Sequence, residues 1–310
     1  MRIALLGFGL IGGSIARAVR RSEGGFSISA WSPSGAGPRA ALAAGVVDAA
    51  PREPADALDG ADLVVLAAPP LDCLALLDHL AGPWSDALAP GTTITDVAST
   101  KGAIVARADA LGLPFVGGHP MAGRETTGFG AATAELFEDR PWVIVPGGSA
   151  GEADLERVAL LARTCGARPV RLTAAEHDAA TAAVSHLPLI LAAALAEAVA
   201  GGIARRPDPA WPLARDLAAG AWRDMTRIAR GDPAMAAGIV ATNGAEVAAR
   251  LAVVLDVLER WRLALEAPGG PDPIRLLAAF AAVRERLEDR APKDGGRADG
   301  DPAEGGPGGR

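Results

Sequence analysis

The chain has 310 residues, of which 50% are hydrophobic and 22% charged, and its formal net charge is −7 at pH 7. This length predicts two domains or one large one, and the composition excludes a mainly disordered chain. The acidic balance offers no basic field that would attract nucleic acid or anionic lipid, so neither is expected as a partner.

The first 172 residues alternate short apolar runs with amphipathic segments. Predicted strands cover residues 2–6, 26–31, 61–67, 92–97, 115–118, 142–146 and 169–172, and predicted helices cover 14–21, 39–44, 71–80, 101–110 and 153–164. Strands that alternate with helices at this spacing indicate βαβ units and a mostly parallel sheet. We therefore predict an α/β domain of the Rossmann type over residues 1–172.

The pattern changes after residue 172, where every further signal is helical. Predicted helices cover residues 174–201, 212–230, 233–266 and 273–289. Together they define a predicted all-α domain over residues 173–290. Residues 291–310 are rich in glycine, proline and charge without an apolar period, which predicts a disordered tail.

The cysteines and the N-terminal residues indicate the cellular compartment in which the protein is expected. Cys73 and Cys165 form no CxxC pattern, which is typical of a reducing compartment and gives no cysteine zinc site; no metal is expected. The first residues, MRIALLGFGLIGG, lack the basic segment and cleavage site of a signal peptide, so we expect a cytoplasmic protein.

One stretch tests whether the chain enters a membrane. Residues 179–196 contain no Asp, Glu, Lys or Arg, and about 18 such residues is the threshold for a spanning helix. The run is rich in alanine and includes Ser185, His186 and Pro188. These residues favour a buried helix of a soluble domain, with no membrane partner.

A glycine motif opens the chain. Gly7, Gly9 and Gly12 form G-x-G-x-x-G between a predicted strand and a predicted helix. The three glycines permit a tight turn, close approach of a pyrophosphate and close packing of helix on strand. The pyrophosphate would lie on the helix N-terminus, so Leu10 and Ile11 join the predicted dinucleotide site. The alternative is a glycine-rich turn without a ligand.

The second predicted strand ends without the acidic residue that binds the adenosine ribose of NAD. Ser32 occupies the following position, and a serine can hydrogen-bond a 2′-phosphate. Arg39 can neutralise that phosphate, although it is equally well explained as a solvated helix charge. The predicted cofactor is NAD or NADP, with NADP slightly favoured by Ser32.

Two further polar residues follow predicted strands. Ser99 lies in DVASTK and His119 in GGHPMAGRE. Ligands of open α/β sheets bind at the carboxyl ends of strands, so both are placed at that rim, His119 in a strand-end loop. His119 titrates in the range that a general base requires, although a single histidine is often structural. Ser99 is alternatively a helix N-cap.

Four landmarks in order resemble the prephenate/arogenate dehydrogenase family of tyrosine biosynthesis, over about residues 1–285. They are GFGLIGGS, DVASTK, GGHPMAGRETTG with LFEDRPWVIVP, and EHD…AAVSHLP followed by WRDMTRIARGDP. The resemblance implies an oxidative decarboxylation. A hydride leaves the hydroxyl-bearing ring carbon for the nicotinamide, and the ring carboxylate departs as CO2. Prephenate would give 4-hydroxyphenylpyruvate, and the alternative substrate, arogenate, would give tyrosine.

The resemblance also implies residue roles. His119 would accept the proton of the substrate hydroxyl, and Ser99 would orient that histidine and the hydroxyl. Glu125 matches an acidic residue at the active-site entrance. Arg227 matches the arginine that binds a substrate carboxylate, for which the guanidinium fork is suited.

Further substrate candidates and one departure belong to the helical domain. Arg223 is a second candidate cation, although an exposed helix arginine explains it equally well. His186 matches the first histidine of the family's SHLPH segment, and Leu189 replaces the second, which leaves the choice between the keto and amino side chains open. His177 and Asp178 also match a family pattern and are interpreted as structural residues at a helix start. In the family the helical domain forms the dimer core, so a homodimer is expected.

Two rival functions remain at this point. Other dehydrogenases, of the β-hydroxyacid and pyrroline-carboxylate reductase types, pair a Rossmann domain with a helical one. The former rely on a catalytic lysine near the start of the helical domain, and this chain has no lysine between residues 102 and 292. The second rival is a dinucleotide-sensing protein without catalysis, against which Ser99, His119 and Arg227 all argue.

Overall fold

The computed structural model describes residues 1–22, 24–124 and 126–288. The predicted entrance residue Glu125 and the predicted tail at 291–310 lie outside these ranges. The chain divides into two compact units, Met1–Ala252 and Val253–Arg310. The predicted boundary at residue 172 stays a prediction.

A seven-stranded sheet forms the centre of the first unit, in the order β2-β1-β3-β4-β5-β6-β7. The strands are β1 Arg2–Leu6, β2 Ser27–Trp31, β3 Leu63–Leu66, β4 Thr93–Asp96, β5 Phe115–Pro120, β6 Pro141–Pro146 and β7 Arg168–Arg171. The neighbours from β2 to β5 are parallel, β6 runs antiparallel to β5, and β7 is parallel to β6. The predicted mostly parallel sheet is confirmed.

Helices cover both faces of this sheet. They are α1 Leu10–Arg21, α2 Ala36–Ala43, α3 Pro54–Leu58, α4 Pro70–Ala81, α5 Gly102–Ala110 and α6 Glu152–Thr164. Side chains of a strand alternate between faces, so Ile3 and Leu5 pack in one core and Ala4 and Leu6 in the other. Burial on both faces explains why the central strands β1 and β3 have almost continuous apolar sequences.

Helical segments follow the sheet. They are α7 Ala174–Thr181, α8 Leu187–Ala200, α9 Trp211–Ala214, α10 Gly220–Thr226, α11 Pro233–Leu265 and α12 Pro273–Glu288. The predicted helix 174–201 is interrupted by a π-helical turn at Ala182–His186. Pro188 lacks an amide hydrogen and its ring crowds the carbonyl four residues earlier, which favours the wider turn.

Several predicted bounds are wrong. Helix α1 begins at Leu10 rather than at residue 14. Glycine is a poor helix former, so the prediction left out Gly12 and Gly13, which are helical in the structure. The predicted helix 212–230 is broken, because Ala218 and Ala219 have extended backbones. Helix α3 is not predicted.

Two segments are long and apolar enough to cross a membrane by length and composition alone. They are Ala174–Ala200 and Pro233–Leu265, and in each of them 22% of the most apolar 18-residue stretch is buried. The expectation of a buried helix at 179–196 is therefore wrong within the single chain, where Ala192 is the buried residue of α8. The helix packs on only part of its circumference in this chain.

A buried ion pair joins the end of β4 to the residue that precedes α5. The Lys101 ammonium contacts the Asp96 carboxylate, and both side chains are 0% exposed. The same carboxylate accepts the amides of Ala98 and Gly118, each at 3.0 Å. Because Gly118 precedes His119, this carboxylate fixes the strand that carries the predicted base.

Lys101→Met is expected to lower the free energy of unfolding by about 3–5 kcal/mol, because it leaves Asp96 buried without a counter-charge. Urea denaturation at fixed protein concentration measures this loss. The double variant Asp96→Asn/Lys101→Met removes both charges and should lose less than Lys101→Met alone. A single variant as stable as the wild type would contradict this account.

Candidate active site

Two adjoining cavities open at the carboxyl ends of the strands, where the strand order reverses between β1 and β3. The β2 cavity, about 530 Å³, is lined by residues after β1, β2 and β3 and by α4. The β5 cavity, about 360 Å³, is lined by the start of α1 and by residues after β4 and in β5. Both include Gly9 and the segment 67–69. One elongated ligand can therefore extend through both, as expected at a topological switch point.

The glycine turn is shaped for an anion. Gly7 has φ +97°, and a Cβ there would collide with the Ala67 carbonyl; a Cβ on Gly12 would lie 2.7 Å from the Gly7 carbonyl oxygen. At Gly9 a Cβ would have no atom within 4 Å. This open space lies at the N-terminus of α1, whose first turn carries no acidic residue. Free amides and the helix dipole there fit a pyrophosphate.

The β2 cavity contains the predicted ribose position. Ser32 lines it together with Trp31 and Ser34. Arg39 is exposed and donates to the Ser34 carbonyl at 3.3 Å, so it lies beside the same loop without being among the lining residues found here. Asp72 of α4 also lines this cavity.

An aromatic group in the β2 cavity was not predicted. The rings of His79 and Trp84 stack with centroids 4.6 Å apart, and Trp31 meets Trp84 edge-on at 6.2 Å. All three rings line the cavity. Such a surface suits a flat purine ring, and no sequence signal would have joined residues from β2, α4 and the segment after it.

His119 lies within β5, so the predicted strand-end loop is wrong. The ladder with β6 continues past the predicted end of the strand, and His119 pairs with Val143. Its side chain nevertheless lines the β5 cavity, together with Ser99, Leu10 and Ile11. The predicted base therefore shares a cavity with the predicted dinucleotide loop.

A chain of hydrogen bonds extends from His119 into the protein. Nδ1 of His119 lies 2.8 Å from Nε2 of His177, and Nδ1 of His177 lies 2.7 Å from Oδ1 of Asp178. Asp178 also accepts the amides of Lys101 at 2.8 Å and Gly102 at 2.7 Å. These bonds tie α7 to the first turn of α5.

His177 and Asp178 are the fourth and fifth residues of α7, as the interpretation of them as structural helix-start residues predicts. Helix α7 begins at Ala174, and its N-cap Thr173 forms a capping box with Glu176. Asp178 also accepts the Lys101 and Gly102 amides at the start of α5, and His177 contacts His119. The capping box is visible in the sequence, but these long-range contacts are not.

Electrostatics keep the predicted base uncharged. Burial lowers the pKa of His119 well below 6.5, and electrostatic interactions with the neighbouring His177, Lys101 and His186 lower it further. Burial alone would raise the pKa of Asp178, but hydrogen bonds from His177 and the two α5 amides outweigh it, so the pKa is lowered. At neutral pH His119 therefore has a free lone pair, and Asp178 is ionised.

Ser99 lies at the ligand-binding edge of the sheet, as predicted, and it is not the N-cap of the following helix. Helix α5 begins at Gly102 with Lys101 as its N-cap, so the N-cap interpretation of Ser99 is wrong. The Ser99 hydroxyl lies 3.9 Å from the Met235 sulfur. The His119 ring is hydrogen-bonded to the His177 ring, and the predicted role of Ser99 in orienting His119 stays a prediction.

His186 lies behind the site. It is 1% exposed, and its Nδ1 lies 3.1 Å from the amide nitrogen of Asn243, which also donates to the Asp178 carbonyl at 2.9 Å. Burial lowers the pKa of His186. It supports the His177–Asp178 segment and is not among the lining residues found for the β5 cavity.

The predicted cations are not brought to the β5 cavity within the described part of one chain. Arg223 and Arg227 lie exposed on α10 and on the turn that follows it. Arg124 lines the cavity instead, as do Asp232 and Met235 at the start of α11. The roles predicted for Arg223 and Arg227 stay predictions, and Arg124 is a candidate that the sequence analysis missed.

An elongated crevice with an anion-binding turn at its middle and an uncharged histidine at one end is the arrangement of a nicotinamide-dependent dehydrogenase. Family models agree. The model described as "Prephenate dehydrogenase, nucleotide-binding domain" matches residues 15–171, and "Prephenate dehydrogenase, dimerization domain" matches residues 173–272. The chain belongs to the prephenate dehydrogenase family, so the resemblance and the dehydrogenase class are confirmed.

Curated relatives support the same family. The prephenate dehydrogenase of Bacillus subtilis (strain 168) is 35% identical over 263 residues, which are 84% of this chain and 67% of the relative. The cyclohexadienyl dehydrogenase of Zymomonas mobilis is 30% identical over 271 residues, 86% of this chain and 89% of the relative. The chain spans about two thirds of the length of the Bacillus protein and of its Lactococcus lactis counterpart.

Solved structures share the architecture. The Synechocystis arogenate dehydrogenase superposes with TM-score 0.73 at 30% identity, covering 93% of this chain and 100% of that one. The A. aeolicus prephenate dehydrogenase, in complex with hydroxyphenyl propionate and NAD+, superposes with TM-score 0.77 at 26% identity, covering 93% and 95%.

The pH profile of kcat/KM tests the state of His119. A base whose pKa is lowered is already deprotonated at neutral pH, so activity should stay level as the pH falls from 8 and decline only through a pKa below 6.5. Steady-state rates measured across that range provide the profile. An acid limb centred at or above 6.5 would contradict the described environment of His119.

Proposed function

We propose that this protein catalyses the oxidative decarboxylation of prephenate to 4-hydroxyphenylpyruvate, with hydride transfer to NAD(P)+. One observation carries the proposal: the uncharged His119 ring lines the same cavity as the glycine-loop residues Gly9, Leu10 and Ile11. The prephenate dehydrogenases among the relatives support this substrate.

The proposed chemistry begins at the substrate hydroxyl. Bound nicotinamide supplies the hydride acceptor. His119 accepts the hydroxyl proton through Nε2 as the carbinol carbon loses its hydride and becomes a carbonyl. The bond to the ring carboxylate then breaks, its electron pair enters the ring, and CO2 leaves. The resulting phenolate regains the proton from His119, so the step consumes no further proton.

Arg124 is proposed to hold the side-chain carboxylate of the substrate. It is the single Lys or Arg among the described lining residues of the β5 cavity. A guanidinium binds a carboxylate through two parallel hydrogen bonds. The ring carboxylate loses its charge during the reaction, and a cation fixed on it would stabilise the ground state more than the transition state. The side-chain carboxylate keeps its charge and is the better partner.

Arogenate is the alternative substrate. It carries an ammonium group in place of the keto oxygen, and Asp232 places a carboxylate on the wall of the β5 cavity. An arogenate dehydrogenase is among the similar structures. Leu189, which replaces the second histidine of the family's SHLPH segment, is also consistent with this substrate. The same base and the same hydride transfer serve both substrates.

For the cofactor we propose NAD or NADP, with Ser32 slightly favouring NADP. Ser32 and Ser34 offer hydroxyls on the β2 cavity, and Arg39 lies beside their loop. The similar structure that contains NAD+ supports a nicotinamide dinucleotide in general. Asp72 on the same cavity supplies the one carboxylate among its lining residues.

A homodimer in the cytoplasm completes the proposal. The dimerization model covers residues 173–272. The second unit carries large exposed apolar residues, among them Leu255, Leu258 and Phe280 at 58%, 53% and 62% exposure. A second copy that covers such residues would remove apolar surface from water. The substrate is a small molecule, and the net charge of −7 favours neither nucleic acid nor an anionic membrane surface.

Reduced-nicotinamide absorbance tests the reaction. Prephenate and arogenate are each combined with NAD and with NADP, and turnover is expected with prephenate in at least one combination. Turnover with arogenate alone would support the alternative substrate. Cofactor binding without turnover in all four combinations would overturn the enzyme proposal in favour of a dinucleotide sensor.

Substitution of Arg124 tests substrate binding. Arg124→Gln should raise the substrate KM about tenfold or more, because it removes a charge-assisted pair, and should leave the cofactor KM unchanged. Arg163→Gln, a surface change on α6, is the matched control, and Arg227→Gln tests the residue predicted from the family. An unchanged KM in Arg124→Gln would assign the carboxylate to Arg227 or to another cation.

A further inference from the structure

We propose that Asp178 and His177 are positioning residues that fix the tautomer of His119, so that its Nε2 presents a lone pair to the substrate hydroxyl. The inference rests on the proposed function, in which His119 is the base. It assigns a task to two residues that do not touch the substrate.

Asp178 can only accept hydrogen bonds. Its side chain is 8% exposed, and it is surrounded by three donors: the α5 amides of Lys101 and Gly102, and Nδ1 of His177. The N-terminus of α5 adds the positive end of a helix dipole. An ionised carboxylate has no proton to give, so the hydrogen between Asp178 and His177 belongs to the histidine.

The position of the proton on His177 determines which nitrogen of His119 donates a hydrogen bond. A neutral imidazole carries one N–H, and on His177 it is engaged at Nδ1 with Asp178. Its Nε2 is therefore an acceptor, and Nδ1 of His119 lies 2.8 Å away. His119 must donate from Nδ1 to make this bond. The remaining nitrogen, Nε2 of His119, then carries the lone pair that proton abstraction requires.

Burial leaves the His177 ring with few alternative hydrogen-bond partners. His177 is 1% exposed, so water does not offer its ring an alternative partner. The other charged and titratable groups around the pair are Lys101, which is held by Asp96, and His186, which is held by Asn243. Neither of them is hydrogen-bonded to the His177 ring, and the acceptor that faces its Nδ1 is Asp178.

Nitrogen-15 NMR reads the tautomers directly and needs no substrate. The chain has four histidines, His79, His119, His177 and His186, so two-bond proton–nitrogen spectra of labelled full-length protein are simple to assign by single substitutions. We expect hydrogen on Nδ1 of both His119 and His177. Hydrogen on Nε2 of His119 in the wild-type protein would overturn the proposal.

Two variants of His177 separate positioning from packing. His177→Leu fills the buried space but offers no acceptor, so nothing holds the His119 proton at Nδ1, and its spectrum should shift toward Nε2–H. His177→Gln restores an acceptor oxygen facing His119 and should keep the Nδ1–H tautomer. A purely structural role would leave the His119 tautomer unchanged in both variants, and that result would overturn the proposal.

Steady-state kinetics give the second readout. His177→Leu should lower kcat about 100-fold with the substrate KM changed by less than about threefold, and His177→Gln should recover kcat to within about tenfold of the wild type. Equal kcat in wild type and His177→Leu would contradict the inference. Failure of every substrate would count against the proposed function, while the NMR spectra would still decide the tautomer.

Discussion

The carboxylate of Asp178 is the group on which the candidate site depends. It accepts two backbone amides at the start of α5 and the ring of His177. The first contacts attach the helical segment α7 to the sheet domain, and the last one orients His119. One buried charge therefore joins two parts of the chain and sets the chemistry of the base between them.

A second buried carboxylate works alongside it. Asp96 pairs with Lys101 and accepts the amide of Gly118, the residue before His119. Lys101 thus links the two carboxylates: its ammonium contacts Asp96 and its amide contacts Asp178. Removing one partner of the Asp96–Lys101 pair would leave an uncompensated charge in the low-dielectric interior. The intact pair favours a single arrangement of the backbone around it. The lysine also helps to keep His119 uncharged, because its positive charge lowers the pKa of that ring.

The sequence predicted the sheet well because central strands such as β1 and β3 are buried apolar runs. It also identified Gly7, Gly9 and Gly12, whose spacing reflects a local turn, and it placed Ser99 and His119 at one rim. It failed where contacts span long distances along the chain. His177 lies 58 residues from His119, and Asp178 lies 77 residues from Lys101. It also missed Arg124, because no local pattern shows that this loop residue lines the cavity.

The central claim is that His119 removes the substrate proton while hydride leaves for the nicotinamide, and a single-turnover comparison of wild type with His119→Asn tests it most directly. Cofactor affinity, followed by fluorescence, should be the same in both proteins, since His119 lies beyond the glycine turn. Hydride transfer should slow by about 100-fold or more in the variant, because no base removes the hydroxyl proton. Hydride transfer at the wild-type rate in His119→Asn would contradict it.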